Sequence, residues 1–261
     1  MSDKKVFIMV APNGARKNKK DHLELPITLD EIVASAVACY KAGAGAIHAH
    51  VRDEQGKHIL DAGLYRELID ELAKTVPKMV VQITTEAVGQ YSPSEQRELV
   101  RQVKPKAVSV ALREMMSDGD TSAQREFYWQ ASEKGIDLQH IIYSPDEILL
   151  LSDLISKNIV PSEKLSMLFV LGRYSKNQTS TPSDLLTFLS ALEQSGLKEQ
   201  SKFMVCAFGQ NELNCLLASA KAGGDCRVGF ENNHFLPDGR LARGNAELVS
   251  TLITALDKSC R

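Results

Sequence analysis

The sequence has few cysteines, and they follow no regular pattern. Five cysteines are scattered along 261 residues, at positions 39, 206, 215, 226 and 260, without a Cys-x-x-Cys pair. An odd number without framework spacing argues against a disulfide scaffold and predicts reduced, mostly buried thiols in a cytoplasmic protein. For Cys206 and Cys226, a buried thiol is favoured over a nucleophile.

Long apolar runs and blocks of one charge are also absent. The net charge is −2, and no basic segment alternates with aromatic residues, so a nucleic-acid surface is not expected. The apolar run that follows Met1–Lys5 is too short for a signal peptide or a membrane span. No Pro/Ser-rich linker divides the chain, and the composition, 43% apolar and 25% charged, is that of an ordinary globular protein. We therefore expect one domain over residues 1–261, with no membrane contact.

Short apolar segments alternate with segments of helical length along the whole chain. Thr28, with Glu31 three residues later, predicts a capping box at the start of the first helix, which runs to about Ala42. The predicted strands are Lys5–Ala11, the stretch from Gly45 through the His-x-His pair, Lys78–Thr84, Ala107–Ala111, Asp137–Ile142, Leu165–Leu171, Lys202–Cys206 and Gly224–Phe230. The later helices are predicted at Ala62–Thr75, Pro93–Val103, Ser122–Lys134, Pro145–Lys157, Pro182–Ser195, Asn211–Ala222 and Asn245–Lys258.

Eight such units in this length predict an α/β protein with a single (β/α)8 TIM barrel. A doubly wound open sheet is the alternative, but the sequence has no Gly-rich dinucleotide-binding turn to support it. In a barrel of this kind the active site lies at the carboxyl ends of the strands. The residues at those ends are therefore the ones to consider for chemistry.

The second predicted strand ends in His48-Ala49-His50. Residues two apart in a strand point to the same side, so both imidazoles would lie side by side. Two imidazoles on one face begin a zinc-type site, which needs a third protein ligand and an open position. Glu231, at the end of the eighth strand, is the candidate third ligand, although by spacing alone it is equally a loop or helix-capping carboxylate.

Several other polar side chains follow the predicted strands. Arginine forks match carboxylates and phosphates, so arginines from several strand ends would together predict a pocket for an anionic substrate. The candidate substrate-binding residues at these ends are the arginines Arg16, Arg113, Arg173 and Arg227, together with the polar residues Asn13, Thr84 and Ser109.

These motifs resemble those of the β-keto acid cleavage enzyme family, of which the 3-keto-5-aminohexanoate cleavage enzyme is the best-known type. The resemblance covers nearly the whole chain in the same order. It is carried by the segments Ala11–Arg16, Gly45–Asp53, Val81–Thr85, Phe169–Gly172 and Gly229–Asn233.

The resemblance implies a zinc-dependent (β/α)8 barrel, usually a homotetramer, although another divalent metal would also fit. Such an enzyme condenses a β-keto acid with acetyl-CoA and releases acetoacetate and a new CoA thioester. It implies His48, His50 and Glu231 as the metal ligands and Arg227 as the arginine beside the metal. Thr84 and Ser109 stand where the type member has, respectively, a serine that contacts substrate and a threonine with a related role.

Two positions depart from the type member. Asn232 stands where that protein has the aspartate assigned as base, and an amide cannot accept the proton. Glu86 is the candidate replacement and Glu114 the second. Arg16 stands where the type member has a glutamate that recognises an ammonium group, which argues for a neutral or acidic β-keto acid.

Two other functions remain open from the sequence. One is a different metal-dependent barrel, either a hydrolase or an aldolase, which would not need CoA. The other is a non-catalytic metabolite-binding barrel, which the missing aspartate at Asn232 would suggest.

Overall fold

The computed structural model describes residues 5–259, with side chains to residue 257, and its strands form a closed parallel barrel in the order β1 to β8. The strands are β1 (Ile8–Val10), β2 (Ala46–Ala49), β3 (Val80–Thr84), β4 (Ala107–Ala111), β5 (Asp137–Ile142), β6 (Leu165–Leu171), β7 (Ser201–Ala207) and β8 (Asp225–Val228). The helices are α1 (Leu29–Lys41), α2 (Ala62–Thr75), α3 (Pro93–Val103), α4 (Leu112–Met115), α5 (Thr121–Glu133), α6 (Pro145–Ser156), α7 (Asp184–Gln194), α8 (Glu212–Lys221) and α9 (Asn245–Ser259). The predicted (β/α)8 barrel is confirmed.

The core has two parts because side chains alternate along each strand. A large apolar cluster joins one set of strand residues, such as Val10 and Ile47, to the surrounding helices. A smaller cluster contains strand residues of the opposite parity, such as Met9, Ala46 and Ile141, which face the inside of the barrel. A barrel of eight strands is filled by side chains and has no pore, so the chemistry is confined to its mouth.

Helix starts follow the sequence closely. Thr28 accepts a hydrogen bond from the Glu31 backbone N–H while the Glu31 side chain accepts one from Thr28, as the capping box predicts. Ser92 and Glu95 form the same motif at the start of α3. These caps satisfy backbone donors that a helix leaves unpaired in its first turn.

The first strand is shorter than predicted, Ile8–Val10 instead of Lys5–Ala11, but the departure that bears on the site is at the end of the eighth strand. We predicted a strand to Phe230, but β8 ends at Val228 because Gly229 has a φ of +145°, outside the range of ordinary side-chain-bearing residues. Phe230 and Glu231 therefore leave the strand and cross towards β1. A short helix, α4, also follows β4 directly, where we predicted only the later helix.

The cysteine prediction is confirmed for the four cysteines within the described residues, which are all free and buried. Burial raises the pKa of the Cys206 thiol to about 11 and that of Cys226 further, which disfavours either as a nucleophile. Cys260 lies outside the described residues. Between residues 5 and 259, no helix has the length and apolarity that a membrane span requires.

Candidate active site

A cavity of about 120 Å³ lies at the carboxyl ends of the strands. This volume is well below the roughly 300–1,000 Å³ of pockets that enclose drug-sized ligands, so the cavity itself has room for a small acid. Its walls are formed by Asn13, Gly14, Ala15, Arg16, Lys17, His48, Thr84, Glu86, Ile141, Tyr143, Val170, Arg173, Gln178, Phe208, Arg227 and Glu231.

The two predicted imidazoles meet at this mouth. His48 lies in β2, and His50 is the first residue after that strand. Their Nε2 atoms are 3.1 Å apart. Asn13 fixes the backbone at His50, because its Nδ2 donates to the His50 carbonyl at 2.9 Å and its Oδ1 accepts from the His50 N–H at 3.3 Å. The amide of Asn13 thus already hydrogen-bonds to the backbone of His50, and the substrate-binding role predicted for it stays a prediction.

Glu231 completes a group of three. Its Oε2 lies 3.7 Å from Nε2 of both His48 and His50, and the Glu231 N–H donates to the carbonyl of Ala11, which anchors the turn beside β1. In a tetrahedral zinc site with bonds of 2.0–2.1 Å, neighbouring ligand atoms are about 3.3 Å apart. The three atoms therefore have the spacing that one ion requires.

The electrostatics of the group also suit a cation. Burial lowers the pKa of His48 to about 4 and that of His50 well below its usual value, so both rings are neutral, the form that binds metal. Although burial opposes it, the charge of Arg227 lowers the pKa of Glu231 and keeps the carboxylate ionised. Oε2 of Glu231 is buried without a hydrogen-bond partner among the described residues, as expected of an atom that awaits a metal ion.

Arg227 lies against the same carboxylate. Its Nη2 donates to Glu231 Oε1 at 3.0 Å and to Cys206 Sγ at 3.3 Å. Its Nε and Nη1 are buried and have no acceptor within the described part of the chain. Because a buried guanidinium without acceptors is costly, these two donors are available to an anionic group in the cavity.

Glu86 stands on the other side of the cavity. Burial and the nearby Glu231 raise its pKa to about 7, despite the opposing charge of Arg173. Its carboxylate oxygens are 3.7 Å from Arg173, 4.0 Å from Arg16 and 3.9 Å from His50 Nδ1. The surroundings thus hold a carboxylate that can exchange a proton near neutral pH.

Some predicted residues are not on the cavity wall. The Arg113 guanidinium pairs with Glu147 and lies over the rings of Tyr143 and Tyr174, because α4 turns it away from the mouth. The substrate-binding prediction for Arg113 is therefore not supported by its position. Glu114 is also occupied, since its Oε2 accepts from the Ala87 N–H and from Gln96.

Ser109 and Asn232 are buried behind the wall rather than in it. The Ser109 hydroxyl and both amide atoms of Asn232 have no hydrogen-bond partner among the described residues. Thr84 does line the cavity, but its hydroxyl already accepts from the Glu86 N–H at 3.0 Å, so it holds Glu86 in place.

The sequence assigned no role to four polar or aromatic residues of the wall, namely Lys17, Tyr143, Gln178 and Phe208. Lys17 donates to the Phe230 carbonyl at 2.8 Å and so ties the β1–α1 loop to the turn before Glu231. It stands in a polar loop with several other lysines, and nothing in that pattern distinguishes it. Tyr143 lies directly after β5, at a strand end, and this position is the signal that could have identified it.

Gly14 offers a test of how tightly Glu231 is held. Gly14 has a φ of +63°, and a Cβ there would lie 2.5 Å from Cγ of Glu231. We expect Gly14→Ala to displace the carboxylate and weaken zinc binding at least about tenfold, since metal sites tolerate little misplacement. The measurement is the zinc dissociation constant by competition with a chromophoric chelator.

Gly119→Ala is the matched control for that variant. Gly119 has nearly the same φ, +68°, but nothing lies within 4 Å of the added Cβ. Both variants carry the backbone strain of a positive φ, and only the first carries the clash. Equal zinc affinity in the two variants would contradict the proposed position of Glu231.

Comparison with known proteins places these residues in a family context. The family model for beta-keto acid cleavage enzymes matches residues 5–260. The 3-keto-5-aminohexanoate cleavage enzyme of Acetoanaerobium sticklandii is 26% identical over 255 residues, which cover 95% of this chain and 90% of that protein. The 3-oxoadipate:acetyl-CoA acetyltransferase of Cupriavidus necator is also 26% identical over 255 residues, covering 94% of this chain and 86% of that protein.

Solved structures support the fold. ObcA in its binary complex with oxaloacetate matches with a TM-score of 0.72 at 16% identity. The match covers 91% of this chain but only 64% of that protein, so the chain spans a little under two thirds of its length. At this level of identity the similarity concerns the barrel alone.

Proposed function

Because the chain belongs to the β-keto acid cleavage enzyme family, we propose that it condenses a β-keto acid with acetyl-CoA in a zinc-dependent reaction that yields acetoacetate and a new acyl-CoA. The observation that carries this proposal is the group of His48, His50 and Glu231 at the mouth of the barrel, beside two unpaired donors of Arg227. From the family resemblance we also expect a homotetramer in the cytoplasm.

His48, His50 and Glu231 would hold zinc, which when bound would supply Lewis-acid polarisation of the substrate's carbonyl group. Beside the metal ligands, the guanidinium of Arg227 supplies a fixed positive charge. Nε and Nη1 of Arg227 face the oxyanion that develops when a proton leaves the methylene group, and preorganised donors of this kind stabilise such charge strongly where water is excluded. The resulting nucleophile is an enolate carbon.

Glu86 is the proposed base for that proton. It is the carboxylate on the cavity wall that is not in the ligand group, and its raised pKa suits proton transfer near neutral pH. Asn232 cannot take the role, because an amide does not accept the proton and its side chain lies behind the wall. The proposed base, Glu86, therefore lies after β3, whereas Asn232 lies after β8.

The remaining steps balance without a further reactant. The enolate carbon attacks the thioester carbonyl of acetyl-CoA, which forms a carbon–carbon bond and expels the CoA thiolate. The thiolate then adds to the original keto carbonyl of the condensed acid. A retro-Claisen cleavage breaks the bond between that carbonyl carbon and the carbon that attacked acetyl-CoA, which gives the new acyl-CoA and the carbanion of acetoacetate. Glu86 returns its proton to that carbanion, so acetoacetate keeps the original carboxylate and no water is consumed.

The charge of the cavity suggests an acidic or neutral substrate. Its wall carries four cationic residues, Arg16, Lys17, Arg173 and Arg227, against two carboxylates, Glu86 and Glu231. Bound zinc would add two further positive charges. An amino-bearing substrate would be repelled, whereas the distal carboxylate of a β-keto diacid could pair with Arg16 and Arg173. One relative is named for 3-oxoadipate, which is such a diacid.

Arg16→Glu tests this specificity. We expect KM for a β-keto diacid to rise about 5- to 30-fold and KM for a 5-amino β-keto acid to fall, because the variant reverses one charge beside the substrate. The effect is moderate since the Arg16 side chain is 60% exposed. Arg66→Glu, an identical charge reversal on an exposed part of α2, should leave both constants unchanged. Faster turnover of the amino acid substrate by the unaltered enzyme would contradict the proposal.

Among the residues that the structure describes, the metal-ligand group holds His48, His50 and Glu231 alone, without the further ligands that the rival hydrolase would use. The ring of His140 packs against Tyr128 of α5, outside the barrel, and Asp225 accepts a hydrogen bond from the Phe7 N–H at the start of β8.

The direct experiment for the proposed function is an assay of thiol release and acetoacetate formation with a panel of β-keto acids and acetyl-CoA. Ester or amide hydrolysis without CoA would favour the hydrolase, and zinc binding without any turnover would favour a binding protein.

A further inference from the structure

A chain of buried polar side chains crosses the inside of the barrel beneath the metal ligands. Oε1 of Gln82 lies 2.8 Å from Nδ1 of His48, and Nε2 of Gln82 donates to Oε1 of Gln139 at 3.3 Å. Nε2 of Gln139 lies 3.5 Å from the hydroxyl of Ser166. All of these residues are at most 5% exposed. Barrel interiors are usually filled by branched apolar residues. The buried amides of Gln82 and Gln139 are therefore unusual at this depth and suggest a specific role.

The strand register explains how the chain forms. His48 pairs with Gln82 across β2 and β3, and Gln139 pairs with Ser166 across β5 and β6. Between them lies β4, where the neighbour of Gln82 is Ala107. A methyl side chain at that position leaves room for the two amides to meet over β4. The arrangement therefore depends on residues of five consecutive strands.

The direction of these hydrogen bonds determines which nitrogen of His48 carries the proton. An amide oxygen only accepts, so the contact with Gln82 Oε1 requires a proton on Nδ1. Nε2 then keeps its lone pair, and Nε2 is the atom that faces His50 and Glu231. The other tautomer would direct an N–H at the metal position and could not bind.

Gln139 prevents Gln82 from reversing. If Gln82 alone rotated its amide by half a turn, its Oε1 would face Oε1 of Gln139, and two acceptors would meet without a hydrogen between them. Both amides would have to rotate together, and buried amides without partners are costly. His50 has no equivalent support, because its Nδ1 has no hydrogen-bond partner within the described part of the chain.

We infer that Gln82, supported by Gln139 and Ser166, is a positioning residue that holds His48 in its metal-binding tautomer. The inference rests on the proposed metal site but not on the reaction. Partners of this kind, which hydrogen-bond to a ligating imidazole, typically change metal affinity 10- to 100-fold when removed. The role belongs to the interior of the barrel, so it leaves the substrate cavity unaltered.

The test measures zinc affinity by chelator competition and the His48 tautomer in metal-free, nitrogen-15-labelled protein by NMR. Gln82→Met removes the acceptor and keeps the length of the side chain, so we expect zinc binding 10- to 100-fold weaker and a resonance from the tautomer protonated at Nε2. Gln82→Glu keeps an acceptor at the same place and should bind zinc within about threefold of the unaltered protein. Gln139→Met should weaken binding about 3- to 10-fold, the effect of one neutral hydrogen bond.

Gln124→Met is the matched control, because Gln124 is an equally buried glutamine whose amide donates to Asp118 far from the site. It should leave both the affinity and the tautomer unchanged. A folded Gln82→Met protein with unaltered zinc affinity and tautomer would overturn the inference. His48→Ala separates the two proposals. If this variant binds zinc as tightly as the unaltered protein, the metal site itself is wrong. If the unaltered protein binds zinc but shows no turnover, only the proposed reaction is wrong.

Discussion

His50→Ala is expected to lose zinc and at least about a thousandfold of the activity, because the site would retain only two of its three ligands. Catalytic zinc sites use three protein ligands and keep the fourth position open, so two ligands do not suffice. The unaltered protein, once stripped by a chelator, should recover activity when zinc is restored, and His50→Ala should not. Metal content is measured by elemental analysis and activity by acetoacetate formation.

Thermal stability provides an independent readout of the same variant. A ligand present at a hundred times its dissociation constant stabilises the folded state by about 2.7 kcal/mol. Zinc should therefore raise the melting temperature of the metal-free unaltered protein and leave that of His50→Ala unchanged. His22→Ala is the control, since His22 contacts the carbonyl of Ala242 and is not in the ligand group. A metal-free protein that takes up no added zinc would contradict the whole site.

The two histidines could be predicted from the sequence because their relation is local. Alternation along one strand places His48 and His50 on the same side whatever the rest of the fold does. Glu231 required the fold and one backbone detail. Its side chain reaches the histidines because Gly229 ends β8 at Val228 and β1 lies next to β8 in the closed barrel.

A strand-end position does not determine the direction of a side chain, which contacts with distant residues set. Arg113 does follow β4, but Glu147 and two tyrosines bind its guanidinium away from the cavity. Asn13 does lie at the end of β1, but the backbone of His50 uses its amide. Position at a strand end thus predicts proximity to the mouth, whereas the partners of each side chain decide whether it faces the substrate.

Gln82 was missed for a different reason. It stands in an apolar strand within one of the motifs that carry the family resemblance, and a single polar residue there has no distinctive spacing. Its partners come from β2 and β5, which are separated from it by 34 and 57 residues. A local sequence pattern cannot predict contacts between residues so far apart in the chain, so only the strand register of the closed barrel reveals the contacts of Gln82.

Glu86→Gln is expected to lower kcat about 10²- to 10⁴-fold, the usual contribution of a positioned general base. Glutamine has nearly the same shape but cannot take the proton. Zinc should stay bound, because Glu86 is not one of the three ligands. The measurements are single-turnover rates at saturating acetyl-CoA and β-keto acid, with zinc content determined on the same samples. Glu114→Gln, the second candidate, should keep near-normal turnover, since its carboxylate binds the Ala87 N–H and Gln96.

The zinc measurement distinguishes two roles for Glu86. Its Oε2 lies 3.9 Å from Nδ1 of His50, an atom without another partner among the described residues, so it could act by orienting that ligand. In that case Glu86→Gln would weaken zinc binding, and added zinc would restore the rate. A general base predicts the opposite pattern, with full zinc occupancy and a rate that zinc does not restore. Near-normal turnover with metal bound would exclude both roles and return the search for the base to the remaining groups of the cavity wall, of which Lys17 and Tyr143 are the titratable ones.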